Sequence, residues 1–338
     1  MSRITYLDTS RGWAILLVVL GHAIQYTVQN FDENFGFRLI YAVHMPLFMF
    51  ISGYVTRPPR NDSAGAELRV KARQLLLPFT FWLPISFLAI GWLQRPAGFV
   101  ADFPFFVLQV LKNPDAGGLW FLLVLFECHV LLHLATAAGS RRSLLLGLLT
   151  LLALNALVLL WPASNWLGLG LLRWQFLFFL LGFAARQLGL QPPPQGESWL
   201  WLLAFFVLAS FWYRKSAVPV DLWLPHLGTS AKRFAVQGYH AITAAVGIVA
   251  TLGLCAAMER SAVLNGSRSL LARLGQISLE VYAGHYLFLY IAVSIINAAP
   301  FNGSVQIIFV ATVALFGAGA LAQVVSMRPL LRTLFYGR

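Results

Sequence analysis

Apolar residues in this chain come in long, nearly unbroken runs, separated by short polar stretches. Such runs do not leave the polar face that a helix on the surface of a soluble domain keeps. About 20 residues at about 1.5 Å each match the roughly 30 Å hydrocarbon core of a bilayer. The pattern predicts spans at 12–30, 38–56, 75–94, 119–137, 143–161, 166–186, 199–213, 235–257, 277–298 and 305–325, the seventh being short. Residues 99–111 are apolar but brief and contain Pro104, which predicts a re-entrant or interfacial segment. Residues 191–198 (Gln-Pro-Pro-Pro-Gln-Gly-Glu-Ser) predict a short cytoplasmic linker. The expected fold class is therefore all-α, a polytopic transmembrane helical bundle of about ten spans.

The charges give the runs an orientation. Arg3 and Arg11 precede the first span, and Arg57, Arg60, Arg69, Lys71 and Arg73 fill the stretch after the second. Arg141 and Arg142, Arg186, then Arg260, Arg268 and Arg273, and finally Arg328, Arg332 and Arg338 continue the alternation. Asp32, Glu33, Asp102, Asp115 and Asp221 fall in the intervening loops. The positive-inside rule then predicts that both termini are cytoplasmic. Only 11% of the 338 residues are charged and 59% are hydrophobic, which excludes an ordinary soluble domain. A net charge of +12 would suggest nucleic acid in a soluble protein, but here it serves topology, and no nucleic-acid partner is expected. The short loops predict one integral membrane domain over 1–338, with no appended soluble domain and no cleaved signal peptide. Cys128 and Cys255 lie inside apolar runs, so no disulfide framework is expected.

Ionisable residues inside spans are expensive and mark candidate sites. His22 lies mid-span, eleven residues after Arg11. At 100° per residue the two share a helix face, about 16 Å apart along the axis. His44 on the second span falls at a similar depth to His22, beside Pro46, which would loosen the helix there. Glu127 lies near mid-depth on the fourth span, followed by His129 and His133. Metalloprotease zinc motifs place the glutamate between two histidines, whereas Glu127 precedes both, so no metal is expected. Arg173, near the outer end of its span, is expected to reach for the membrane surface, and His226, His240 and His285 are weaker candidates. For each histidine the competing structural reading is a packed ring bonded to a backbone carbonyl or a neighbouring helix.

Several strings, in order, resemble the acyltransferase 3 family of membrane acyltransferases, and more narrowly its fucose 4-O-acetylase-like branch. They are Asp8 to Gly12 with Leu16 to His22, then His44-Met45-Pro46-Leu47-Phe48, and Ser52-Gly53-Tyr54. Leu75 to Phe79, Leu119 to Leu122, Phe178 to Gly182, and Leu274-Gly275 with Ser278, Tyr282 and His285 complete the set. The resemblance implies transfer of an acyl group, acetyl or succinyl, from cytoplasmic acyl-CoA to a sugar hydroxyl of an envelope or exported glycan or lipid-linked sugar. The expected location is a bacterial inner membrane. Arg11 and His22 match the family's Arg-x10-His motif. Members often carry an Arg-x-x-Arg pair before the third span, whereas Arg69, Lys71 and Arg73 are spaced differently. The expected catalytic residues are His22, Arg11, His44 and Glu127, with Arg11, Arg69, Lys71 and Arg73 receiving the phosphates of acyl-CoA, the donor substrate. No permanent cofactor is expected. The alternatives are a proton-coupled transporter or flippase relaying protons through His22, His44 and Glu127, and a structural subunit of the envelope. The lack of an internal repeat weakens the transporter reading.

Overall fold

The computed structural model describes residues 5–57, 64–94, 102–114, 118–136, 143–160, 165–298 and 303–338. Arg3, Arg60, Asp115, Arg141 and Arg142 of the loop-charge pattern lie outside them. The described chain is almost wholly helical. In order come α1 (Thr5–Thr27), α2 (Phe35–Tyr41), α3 (His44–Val55), α4 (Ala64–Ala89), α5 (Phe103–Lys112), α6 (Trp120–Thr136), α7 (Ser143–Leu160) and α8 (Leu169–Gln187). They are followed by α9 (Gln195–Ser210), α10 (Val218–Trp223), α11 (Thr229–Arg260), α12 (Asn265–Gln276), α13 (Ser278–Ala298), α14 (Gly303–Ser326) and α15 (Pro329–Tyr336). Among the described residues seven helical stretches are long and apolar enough to cross a membrane: Thr5–Thr27, Phe35–Val55, Gly65–Leu93, Trp166–Gln187, Thr229–Arg260, Ser278–Ala298 and Gly303–Ser326. The chain is thus a multi-pass membrane protein. The other three expected spans coincide with α6, α7 and α9. These are apolar helices of 17, 18 and 16 described residues.

Proline sets several boundaries. The second expected span breaks into α2 and α3 at Ala42–Val43. Pro46 has no N–H for the Ala42 carbonyl, four residues back, and its ring crowds that carbonyl. The turn tightens there, with Val43 N donating to Ile40 O at 3.1 Å. Helix α9 begins at Gln195, directly after three prolines, so the linker is shorter than 191–198. At its other end α9 stops at Ser210, where the expected span continued to 213. An antiparallel pair, Trp212↔Ala217 and Tyr213↔Ser216, takes over there. Helix α5 occupies most of the expected interfacial segment and is capped by Asp102, whose carboxylate accepts from Phe105 N.

The chain forms two compact units. The first comprises residues 1–51, 189–278 and 302–311; the second comprises 52–188, 279–301 and 312–338. In the first, α1 packs on α2, α11 and α12. The contact with α12 is close because both sides are glycine. A Cβ at Gly12 would lie 1.8 Å from Leu271 O, and one at Gly275 would lie 1.9 Å from Asp8 O. On the α2 side, a Cβ at Gly21 would crowd Ile40 and Tyr41 at 3.0 and 3.1 Å. That bare position lets Ile24, Phe37 and Ile40 close into an apolar cluster, with Leu17, Leu20 and Tyr41 packed on it.

In the second unit, α4 packs on α6 and α15, and α6 on α7 and α8. The start of this unit meets α8 through another bare backbone, where a Cβ at Gly53 would lie 1.9 Å from Phe179 O. Trp82 on α4 is 2% exposed and donates its indole N–H to Phe335 O of α15 at 3.0 Å. Tyr282 on α13 donates to Gly118 O and accepts from Phe121 N, which ties α13 to the start of α6.

Candidate active site

The site builds outward from α1. Asp8 is buried, and its carboxylate lies 3.7 Å from Arg11 Nη1 one turn on, an i, i+3 pair. Helix geometry places Arg11 on the His22 face three turns below it, as the spacing predicts. One turn beyond His22 stands Gln25. Because Gly21 lets α2 approach, Tyr41 enters beside both. His22 Nδ1 lies 3.1 Å from Gln25 Oε1 and 3.3 Å from the Tyr41 hydroxyl, and that hydroxyl donates to Gln25 Oε1 at 2.7 Å. The Tyr41 ring meets the His22 ring edge-on at 6.2 Å and the His44 ring at 4.7 Å. The structure therefore gathers His22 and His44 around Tyr41, within one unit.

The histidines differ in what their ring nitrogens meet. His44 Nδ1 donates to Ile40 O at 2.8 Å, which covers a carbonyl at the α2–α3 break. His133 Nδ1 lies 2.9 Å from His129 O, His240 Nε2 lies 3.1 Å from Ser216 O, and His285 Nδ1 lies 2.6 Å from Tyr282 O. Those contacts match the structural reading. His22 Nδ1, by contrast, faces two polar side chains. Gln25 and Tyr41 are not among the residues to which the sequence pattern points. A polar residue three positions after an intramembrane histidine was a usable signal for Gln25, but nothing in the sequence placed Tyr41 there.

The other expected site residues lie in the second unit. Glu127 on α6 is half-buried, and its Oε2 has no hydrogen-bond partner among the described residues. Its neighbour His129 is 3% exposed, its ring edge-on to Phe179 and its Nδ1 likewise unpartnered among the described residues. The three basic residues of α4 do not share one face. Arg69 and Arg73, four apart, are both exposed; Arg69 bonds the Gly65 carbonyl and Arg73 reaches Thr333 of α15 at 3.4 Å. Lys71 points to the α6 side, within electrostatic range of His129. One turn before it, Glu67 lies 3.8 Å from His133 Nε2. Arg173, expected to reach for the membrane surface, instead donates to Asn155 of α7 at 3.1 Å. Among the described residues no cluster of three His, Cys, Asp or Glu side chains has metal-binding geometry. Both cysteines are buried and unbridged.

A chain of long apolar helices with ionisable side chains inside them is an integral membrane protein with its polar chemistry within the helices. Its residues 4–323 match the acyltransferase domain model, so the chain belongs to the acyltransferase 3 family and is an acyltransferase. Nodulation protein NolL of Mesorhizobium japonicum is 27% identical over 296 residues, covering 81% of this chain and 74% of that protein. Nodulation protein NolL of Sinorhizobium fredii is 32% identical over 193 residues, covering 53% of this chain and 48% of that protein. No solved structure matches the chain.

Proposed function

We propose that this protein moves an acyl group, acetyl being the expected one, from cytoplasmic acyl-CoA to a sugar hydroxyl of a cell-envelope or exported glycan. It would work in a bacterial inner membrane with both termini cytoplasmic. The family supports the reaction type, and the fucose 4-O-acetylase-like strings support the acceptor class. The observation that carries the catalytic assignment is the setting of His22, whose Nδ1 faces Gln25 and Tyr41 rather than a backbone carbonyl.

In this reading His22 takes the proton of the acceptor hydroxyl as its oxygen attacks the thioester carbonyl. The C–S bond breaks, and the CoA thiolate leaves and recovers the proton from the imidazolium. The products are the O-acyl sugar and free CoA thiol. Proton transfer of this kind contributes about 10²–10⁴-fold. His44 lies beside the same tyrosine and shapes the His22 surroundings, while Glu127 supplies a half-buried carboxylate that can polarise or bind a hydroxyl. Arg11, Arg69, Lys71 and Arg73 supply the positive charge that donor phosphates require, the three arginines with the bidentate geometry that suits phosphate. The apolar interior strengthens these electrostatic interactions and keeps water from the thioester.

The test is CoA release by purified protein, with acetyl-CoA and a fucose-containing oligosaccharide, and mass spectrometry of the acceptor. We expect one acetyl increment for the native chain and a loss of about 10²–10⁴-fold in His22→Ala. Native rates from a folded His22→Ala would remove the general-base assignment. Transport of the sugar across proteoliposomes without a covalent increment would overturn the transferase reading of the acceptor.

A further inference from the structure

We infer that Gln25 and Tyr41 are positioning residues that fix which nitrogen of His22 carries the proton; the inference rests on the general-base role proposed for His22. Gln25 Oε1 is an acceptor with two lone pairs and no proton to give. The Tyr41 hydroxyl donates to it at 2.7 Å, and His22 Nδ1 lies 3.1 Å away. An oxygen that takes a hydrogen bond from Nδ1 needs the proton on Nδ1. Neutral imidazole then carries its basic lone pair on Nε2.

The other tautomer fits poorly. It would set the Nδ1 lone pair against the lone pairs of Gln25 Oε1. The Tyr41 hydroxyl, 3.3 Å from Nδ1, could donate there only by giving up its 2.7 Å bond to Gln25. Tyr41 thus acts through Gln25, holding the amide with its oxygen toward the imidazole. Tyr41 is itself held by stacking on Phe37 at 3.8 Å between ring centres. In the Ser-His-Asp triad the histidine's second nitrogen is bonded to a carboxylate that orients the ring and stabilises the imidazolium by charge. Here a neutral amide supplies the orientation without the charge.

Helical spacing supports the assignment. Gln25 follows His22 by three residues, so the two side chains are neighbours on one helix face. The bare Gly21 position is what lets Tyr41 reach them. His44, on the other side of Tyr41, bonds Ile40 O through its own Nδ1 and does not compete for Gln25.

The experiment combines ¹⁵N spectra of histidine-labelled protein with steady-state kinetics, on the full chain in lipid nanodiscs. Native protein should show His22 with a protonated Nδ1 and an unprotonated Nε2. Gln25→Leu and the length-matched Gln25→Met should lose that pattern, with kcat lowered about tenfold, the population shift expected from losing roughly one hydrogen bond, and KM within about twofold. Gln25→Glu, which keeps the acceptor, should restore both the spectrum and most of kcat. Tyr41→Phe should lower kcat by less than Gln25→Leu does. An unchanged His22 spectrum and native kcat in the Gln25→Leu or Gln25→Met protein would overturn the inference. His22→Ala, run in parallel, separates the two claims. An inactive His22→Ala beside fully active Gln25 variants removes only the positioning role. A fully active His22→Ala removes the general-base reading itself.

Discussion

Replacing Gly12 by alanine adds one methyl group where the backbones of α1 and α12 meet. Its Cβ would sit 1.8 Å from Leu271 O, 2.6 Å from Leu271 C and 3.0 Å from Leu271 Cα, whereas ordinary contact begins at 3.4 Å. The backbones must therefore separate by about 1.6 Å, because a carbonyl cannot swing aside as a side chain can. The facing glycine gives no room either. Gly275 already lies with its Cβ position 1.9 Å from Asp8 O and 2.9 Å from Gly12 N. Overpacking costs typically about 1–3 kcal/mol, and relief without side-chain movement puts this case at the upper end. Alanine recovers about 1 kcal/mol of helix propensity over glycine. The net expectation is a loss of about 2 kcal/mol, with α1 displaced next to Arg11 and with reduced activity. Close approach through small residues is also what holds membrane helices together, since lipid supplies no hydrophobic force between them. The assay is a thermal ramp of detergent-solubilised protein read by the fraction that stays monodisperse, with CoA release measured alongside. Gly319→Ala is the control, because a Cβ there meets nothing within 4 Å. A Gly12→Ala protein with native midpoint and native turnover would refute the backbone contact between α1 and α12.

Two further outcomes concern the packing of α15 on α4. Trp82→Phe removes the indole bond to Phe335 O and leaves a void at a site 2% exposed; it should cost about 2–3 kcal/mol and expose α15 to limited proteolysis, and native protection of α15 would count against the packing described. Burial, with the charge of Glu280 adding to it, pushes the Tyr336 hydroxyl above its ordinary value near 10. The unfolded chain therefore loses this proton first. Stability from this group is complete below about pH 10 and declines as pH rises toward the folded value. Melting midpoints between about pH 8 and 11 should fall less steeply in Tyr336→Phe than in native protein, and identical slopes would contradict this.

Glycine illustrates how far the sequence could be read. Gly12, Gly53 and Gly275 all fall in strings that carry the family resemblance, and each is a place where two backbones come together without a side chain between them. The strings were legible, but their purpose was not, because the partner of Gly12 is Leu271, far along the chain. Lys71 illustrates the converse. Sequence proximity grouped it with Arg69 and Arg73, but two residues are about 200° of helix, and the side chain turns to α6 instead.

By itself the sequence determined that this is a multi-pass, all-α membrane protein of the acyltransferase 3 family, and which ionisable residues lie inside its spans. Run length, loop charge and motif order are properties of the chain in one dimension. They act before any tertiary contact forms, because bilayer thickness and backbone hydrogen bonding require helices of that length. Tertiary structure decided what each polar group meets. It gave His22 an amide and a phenol and gave His44 a carbonyl at a proline break, and it set Glu67 and Lys71 toward the histidines of α6. Hydrogen bonds act over about 3 Å, a distance that spacing along the chain does not fix between separate helices. Small residues such as Gly21 decide how closely those helices come.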